Sequence, residues 1–472
     1  MRLPRHPIFS LVCGNWEAPE LRLAIGEMGN IVARRYREPE DGQVAMVLCN
    51  ASYYGTLAAV RSLGRSGVPV VTLDTGIFSL GRYSRHSSAH VKSPRFDSPD
   101  WPDWLLAFGR RGPRRAIYAT SDAVSFALAD RREELSSVFD LCQPDLATMM
   151  STLDKGLLHK HAQAVGMDTP ETWLPQSAIE AKKVVSEAGG PLVAKPRSQL
   201  FVRTGVKGLL MDASGGQDVY ENLLRQAGHD NHFVKRFPEA TMPMLQRYYP
   251  EAMDHIYSLS GFRDRSGKHV VMRAAVKILQ RPRRLGVGLC FEEADVIPAL
   301  AEQTLRLCER IGYYGAFELE FVASHGRMML IDFNARLYNQ LAFDIARGMD
   351  IPGLVYACAT GRSEELLRLV QAEPRRKQAK SPIFCNSFEL SLTIAAKRAF
   401  RTMSSEEAKR WRGWRQAAGH SVVDSVRDDD DPVPAFIDGA EHMWRSIRYA
   451  RRFFKEMACR TLVAAVPFFG IL

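Results

Sequence analysis

The sequence predicts a multidomain α/β and α+β protein. Three observations predict it: apolar runs alternate with helical patterns through the first third, two acidic period-two segments lie at 316–334, and the chain changes character after Gly361. A chain of 472 residues with 46% hydrophobic content can bury more than one core. The expected division is an open α/β domain over 1–145, a second domain over 146–362, and a helical extension over 363–472.

Val44–Cys49 has the unbroken apolar content of a buried strand, Leu57–Arg65 the spacing of a helix, and Val68–Leu73 the content of a second strand. The turn after the first strand, Asn50-Ala-Ser-Tyr-Tyr-Gly55, holds one glycine where a pyrophosphate-cradling G-x-G-x-x-G needs more, which argues against NAD or FAD. A second unit follows, with Ala116–Ala119 as strand, Thr120-Ser-Asp122 as polar turn and Ala123–Leu135 as helix. Ser151-Thr-Leu-Asp154 fits a capping box that opens a helix to about Val165, with Lys155 in its first turn and Gly166 as its stop. Ser177-Ala-Ile-Glu180 opens another, which ends at Gly189-Gly190 ahead of a strand Pro191–Lys195. Strands dominate from about Phe237 until a helix at Ala299–Ile311.

The 63 Lys and Arg against 53 Asp and Glu give a net charge of +10, which suits phosphate-bearing ligands, nucleic acid or an anionic membrane surface. No aromatic and basic recognition platform accompanies that charge, which argues against nucleic acid. The eight cysteines are scattered without a C-x-x-C pair, as expected of a reducing compartment without a zinc or redox motif. No secretory apolar segment follows Arg2 and Arg5, and no apolar run approaches the ~18 residues of a membrane span, so a cytoplasmic protein is expected, peripheral at most to the inner membrane face.

In Ala316-Phe-Glu-Leu-Glu-Phe-Val322, Phe317, Leu319 and Phe321 alternate with Glu318 and Glu320, as in a half-buried strand. Ser324-His-Gly326 can turn the chain, and the returning Met328–Asn334 puts Leu330, Asp332 and Asn334 on one face and Met329, Ile331 and Phe333 on the other. A turn centred on Gly326 sets Glu320 opposite Asp332 and Glu318 opposite Asn334. Opposed like charges destabilise a sheet, so the pair needs a cation. Magnesium prefers oxygen ligands and fits two carboxylates with the Asn334 carbonyl. Arg336, two residues on, is placed to hold a transferring phosphoryl group. The competing reading is an amphipathic hairpin with a solvated acidic face.

Gly315-Ala-Phe-Glu-Leu-Glu320 and Leu330-Ile-Asp-Phe-Asn-Ala-Arg336 resemble the metal-binding core of the ATP-grasp superfamily, whose pattern ends in E-x-N-x-R; Asp332 stands where glutamate is usual. The similarity runs through Asp154-Lys155, Lys195-Pro196 and Pro243-Met-Leu-Gln-Arg-Tyr-Tyr-Pro250, over about residues 44–362. Ala58-Ala-Val-Arg-Ser-Leu63 and Tyr83-Ser-Arg85 look like the pre-ATP-grasp domain of carboxylate-amine ligase-like members. The resemblance implies a two-part fold over 146–362, with a lid at about 170–245, clasping ATP with Lys155 and Lys195 on its phosphates. It implies that Gln246 meets the adenine amino group and that the backbone of Arg247 and Tyr249 reads the purine edge. Asp254 is the match for the ribose-binding acid, with Glu251 as rival.

Glu320, Asp332 and Asn334 would hold the metal, two Mg2+ ions with Mn2+ as the substitute, and Arg336 with Lys195 would stabilise the transferred phosphoryl. Arg273 and Lys277 are expected to contact a substrate carboxylate or phosphate. Between Lys195 and Gly208 only Gly205 and Gly208 remain of a glycine-rich lid, so Arg203 and Lys207 would replace backbone amides with charge. The implied reaction joins a small-molecule carboxylate, activated as an acyl phosphate, to an amine, with an amino acid or peptide as the substrate class. A carboxylase, a kinase-like phosphoryl transfer and a degenerate ATP-binding scaffold at a membrane are the alternatives.

Glu373-Pro-Arg-Arg-Lys-Gln-Ala-Lys380 is a basic linker, and Asp428–Asp431 before Pro432 reads as a solvated loop. From His442 to Cys459, Met443, Ile447, Ala450, Phe454 and Met457 keep helical spacing beside a stripe of Arg445, Arg448, Arg452 and Lys455. Such a segment, with its apolar tail to Leu472, lies on an anionic membrane, docks a partner helix or packs on its own body. A homodimer is compatible with all of this.

Overall fold

The computed structural model describes residues 43–201, 207–211, 216–226, 232–253, 255–281, 285–372 and 381–445. Asp254, Arg203, Gly205, the linker 373–380 and the stretch 446–472 lie outside the described residues.

Strands β1 (Met46–Leu48), β2 (Val70–Asp74), β3 (Ala89–Lys92), β4 (Arg115–Tyr118) and β5 (Phe139–Leu141) form a wholly parallel sheet in the order β3-β2-β1-β4-β5. β1 and β2 are buried along their whole length, the environment that an unbroken apolar strand requires. The chain leaves β1 toward β2 and returns on the other side as β4, so a crevice opens beyond the carboxyl ends of β1 and β4. The single glycine of the first turn has a packing reason. Gly55 starts the helix Tyr54–Arg65, and a Cβ there would collide with the Tyr338 carbonyl oxygen.

The second sheet joins β6 (Thr172–Trp173), β7 (Leu192–Lys195), β8 (Leu209–Met211) and β9 (Met244–Arg247) in the antiparallel order β6-β9-β7-β8. Helices Ala178–Glu187 and Gly216–Gln226 cover it through Ala181, Tyr220 and Leu223. Ser177 caps the first of these as expected, accepting from the Glu180 amide at 3.1 Å. The expected helix start at Ser151 is corrected. Asp145 caps a helix Leu146–Leu153, and Asp154 ends it and caps a second, Lys155–Ala164, by accepting from the Gly156 and Leu157 amides. Aspartate caps as well as serine does, and Asp154 is also clamped by Arg197, which fixes the break there.

The third sheet comprises β10 (Ile256–Arg263), β11 (Val270–Arg281), β12 (Val287–Ala294), β13 (Gly315–Ser324), β14 (Arg327–Asn334), β15 (Ile383–Cys385) and β16 (Val422–Asp424). Its order is β14-β13-β10-β11-β12-β15-β16, antiparallel except between the last two. Phe317, Leu319 and Phe321 are buried together against Leu300, Leu307 and Ile311 of the helix Pro298–Ile311. The C-terminal extension is helical as expected over Ser387–Ala399, Ser405–Ala418 and 433–445, and it also extends this sheet by β15 and β16.

Within the β13–β14 hairpin Glu320 pairs with Asp332 and Glu318 with Asn334, the expected register. It arises by two offsets. The turn is the two-residue His325-Gly326, both at positive φ (51° and 74°), and an irregularity at Ile331 restores the pairing that a turn centred on Gly326 would give. That irregularity also moves Leu330 off the face of Asp332 and into the core that holds Phe333.

Asp428–Asp431 is a solvated loop only in part: Asp429 and Asp430 are exposed, and Asp431 is not. Asp431 is 1% exposed and accepts from Arg61 Nε (2.9 Å), Ser84 Oγ (2.6 Å) and the Arg85 amide (2.9 Å). Val426 and Ile437, on either side of the run, pack with Leu57, Leu80 and Tyr83, so the acidic run ties the extension to the first sheet's helices.

Candidate active site

A cleft open at its mouth lies between the second and third sheets. The second sheet supplies Val193 and Lys195 from β7 and Gln246 and Arg247 from β9, with Tyr248 and Tyr249 following. The third supplies Ile256, Lys277, Glu320 and Ile331 through Asn334, and Lys155, Lys207 and Arg336 reach in from their own segments. Ten of the twelve site residues expected from sequence are thus brought together. Arg273 is not: it sits on β11 opposite Ser260, beyond the end of the cleft that Lys277 lines. Asp254 is outside the described residues, and its rival Glu251 accepts from Ser324 Oγ at 3.1 Å.

Glu320 and Asp332 face each other on neighbouring strands, and each is matched by a lysine. Lys277 Nζ donates to Glu320 at 2.7 Å, and Lys155 Nζ donates to Asp332. Burial alone would raise both carboxyls, but Lys155 and its hydrogen bond, with Lys207 and Lys195, outweigh it and hold Asp332 down to about 2. Glu320 is lowered in the same way, burial being outweighed by Lys277 and Lys207. The sequence reading made magnesium the compensating charge; here the ammonium groups do that work.

Lys195 ends β7 and donates to Gln246 Oε1 at 2.8 Å. Burial, reinforced by the nearby Lys155 charge, pushes it down to about 8. Gln246 in turn donates to Thr172 Oγ1 at 3.0 Å, which fixes which amide atom faces the lysine. Arg247 is held by Glu171, whose carbonyl accepts its amide N–H at 2.9 Å, so that N–H is not available to a purine edge.

Lys155 owes its place to a pair the sequence did not reveal. Arg197, read as part of the lid, forms a buried fork on Asp154 (2.8 and 2.5 Å), and its carbonyl accepts the Lys155 amide at 2.8 Å. Asp122 was also missed as a site residue. It follows β4 at the mouth of the first sheet's crevice and accepts from Arg336 Nε at 2.6 Å. The strand order gives the signal, since polar residues after the strands on either side of the reversal face the ligand crevice. Arg336 also donates to Asn334 Oδ1 (2.9 Å), while Asn334 Nδ2 donates to Glu318 at 3.0 Å. Among the described residues no lysine is hydrogen-bonded to Glu318; Ser258 (2.7 Å) and Gln340 donate to its other oxygen. Burial first, then Glu320, pushes its carboxyl up.

Among solved structures, biotin carboxylase from Campylobacter jejuni is 15% identical at a TM-score of 0.51, with 72% of this chain and 73% of that chain covered. N5-carboxyaminoimidazole synthetase from Staphylococcus aureus, complexed with ADP, is 13% identical at 0.53 over 78% and 88%. The chain has the ATP-grasp fold. L-amino acid ligase from Bacillus licheniformis is a third neighbour, 13% identical at 0.50 over 70% and 77%. No family model and no curated protein matches the sequence.

The donor set of the ATP-grasp cleft suits a nucleotide with a hard cation. Two carboxylates and an amide oxygen supply the few protein ligands that magnesium takes when phosphate oxygens complete its shell. Among the described residues no group of three or more His, Cys, Asp or Glu is placed to hold a metal unaided. Lys155, Lys195, Lys207, Lys277 and Arg336 outnumber Glu320, Asp332 and Asp122 around the cavity, a field that draws a polyphosphate.

Proposed function

We propose that the chain is an ADP-forming carboxylate-amine ligase using ATP and magnesium. The observation that carries this reading is the convergence, across one cleft, of Lys155 and Lys195 with the carboxylates Glu320 and Asp332. A polyphosphate would draw Lys155 from Asp332 and Lys195 from Gln246, and so free Asp332 to bind a cation. Magnesium, as two ions, would be held by Glu320, Asp332 and Asn334 and would supply charge neutralisation along the phosphates.

The remaining work falls to the protein's own groups. Gln246, the Arg247 carbonyl and the Tyr249 backbone would position the purine. Lys195 and Arg336 would neutralise the phosphoryl group as a substrate carboxylate attacks it, and Lys277 would steer that carboxylate. An amine then displaces phosphate from the acyl phosphate. Asp122 would hold the Arg336 guanidinium in a fixed orientation so that no reorganisation is needed during transfer.

Phosphate release screened over amino acids, short peptides and hydroxy acids tests this, with Asp332→Asn and Lys195→Ala as controls. Turnover undiminished in both variants would overturn the site. Product mass separates ligation from carboxylation, the outcome that the biotin carboxylase and carboxyaminoimidazole synthetase neighbours favour.

A further inference from the structure

Two cysteines far apart in sequence meet outside the cleft. Cys142 directly follows β5, and Cys358 lies in the helix Ile351–Thr360, 216 positions further on. Their sulfurs are 3.1 Å apart, with the Cys142 thiol donating to Cys358. A disulfide bond is about 2 Å long, so a further approach of about 1 Å would close it.

The two sulfurs are unequal. Cys142 is 0% exposed, and burial, then the Cys358 sulfur, pushes its thiol well above the ordinary range. Cys358 is half-buried and shifted down, by the Cys142 hydrogen bond first and then by the Arg265 guanidinium and amide, which together outweigh burial. Arg265 is fixed in place, since it donates to the Leu141 carbonyl and lies over the Tyr314 ring at 5.6 Å. A reachable sulfur with thiolate character beside a buried, protonated one is the arrangement of an attacking and a resolving cysteine. The other described cysteines do not share it. Cys290 and Cys385 face each other across β12 and β15, but both are 0% exposed, and burial pushes Cys385 up to about 11. Cys49 and Cys308 are buried as deeply.

We propose that Cys358 and Cys142 are a peroxide-sensitive pair that forms a reversible disulfide. The Cys358 sulfur attacks the terminal oxygen of a hydroperoxide, the O–O bond breaks, and the released alkoxide or hydroxide takes up the proton that the Cys358 thiol gave to solvent. Cys142 then attacks the Cys358 sulfenic acid: the S–S bond forms, the S–O bond breaks, and the departing hydroxide leaves as water with the Cys142 proton. The pair loses two electrons, and the peroxide is reduced by them. The enclosed stretch of chain holds every residue lining the cleft except Asp122, so oxidation ties the cleft-bearing segment at both its ends. The pair stands independently of the ligase reading, because neither sulfur lines the cleft.

Hydrogen peroxide treatment of the reduced full chain tests it, followed by blocking with N-ethylmaleimide and digestion without reductant. Mass spectrometry should find Cys142 cross-linked to Cys358, released by dithiothreitol and formed about tenfold or more faster than any other cysteine pair. In Cys142→Ala the reaction should stop at a Cys358 sulfenic acid that dimedone traps, and in Cys358→Ser peroxide should leave Cys142 unmodified. The oxidised wild type should unfold at a higher denaturant concentration than the reduced one, because the bond closes a loop of 216 positions. A wild type that circular dichroism shows folded and that forms no such cross-link overturns the proposal. So does a cross-link that forms only as the chain unfolds, or dimedone on Cys142 in Cys358→Ser. The wild-type cross-link needs neither variant to fold.

Discussion

Two acidic clusters of this protein look alike in sequence and do opposite things. Glu320 and Asp332 on the β13–β14 hairpin are matched by lysines, whereas Asp431 in the run 428–431 is matched by Arg61. A lysine is a point charge on a flexible stem, and on the proposed reading Lys155 and Lys277 leave their carboxylates to a phosphate and a cation. Arg61 is a rigid fork with Nε and both Nη2 hydrogens spent: Nε goes to Asp431 Oδ2, and Nη2 goes to the carbonyls of Val426 (2.8 Å) and Asp431 (2.9 Å). One cluster is an exchangeable site and the other a fastening. The partner cation, rather than the count of carboxylates, decides which.

Breaking the fastening should give the largest effect. Arg61 and Asp431 side chains are only 6% and 1% exposed, so Asp431→Ala leaves a buried guanidinium uncompensated, at a cost of about 3–5 kcal/mol. Chemical denaturation should show that loss, with turnover per folded molecule unchanged. The hairpin should answer in the reverse sense. Asp332→Asn keeps the shape but takes Lys155's partner from a pair that is 13% and 26% exposed, so it should cost less stability than Asp431→Ala while nucleotide turnover falls on the order of a hundredfold or more. If Asp332→Asn unfolds the protein, or Asp431→Ala silences it while folded, the division of roles between the clusters fails.

How much of this was legible beforehand follows the same line. The hairpin was readable because period-two alternation is local: Phe317, Leu319 and Phe321 announce the buried face, and Glu318 and Glu320 the other. Its register came out right through a shortened turn and an irregularity at Ile331 that no residue pattern announces. The order of Asp154-Lys155, Lys195, Gln246 and the hairpin gave the cleft and the fold. The pairings between distant segments were hidden. Arg336 meets Asp122 from 214 positions away, and Asp431 meets Arg61 from 370. A run of four aspartates has the composition of a solvated loop, and only the tertiary placement of Arg61, Ser84 and Arg85 shows that Asp431 is an exception. Arg273 fails for the converse reason. Strand periodicity puts it on the face of Lys277, but the cleft ends before reaching it.

Within the exchangeable cluster, pH offers a finer test. Lys195 is lowered from 10.5 to about 8 by burial and by Lys155, so the folded, ligand-free protein binds less proton than the unfolded chain between those values. Its contribution to stability therefore rises with pH across that window. Nucleotide binding runs the other way, because a polyphosphate favours the charged lysine. Below about pH 8 the proton is already present, and above it binding must take one up. Metal-free ADP affinity, measured calorimetrically, should fall by up to about tenfold per pH unit above 8. Lys195→Arg should flatten that dependence, since a guanidinium stays charged throughout. An unchanged slope in the variant would remove Lys195 from the phosphate site.

The smallest effect should come from the outer edge of the fastening, and it separates burial from charge as the cause. Asp428 belongs to the same run as Asp431 and meets Arg65 at 2.6 Å, a shorter contact than the Arg61 pair makes. Yet Arg65 is 44% exposed and Asp428 22%, so water solvates either ion when the other is removed. Asp428→Asn should cost no more than about 1 kcal/mol, and the loss should shrink further as salt is raised. Contact distance alone would rank Asp428 above Asp431; desolvation ranks it far below. Parallel denaturation of Asp428→Asn and Asp431→Ala at low and high salt decides between the two orders. A salt-insensitive loss at Asp428 equal to that at Asp431 would mean that the whole acidic run, rather than its one buried carboxylate, fastens the extension.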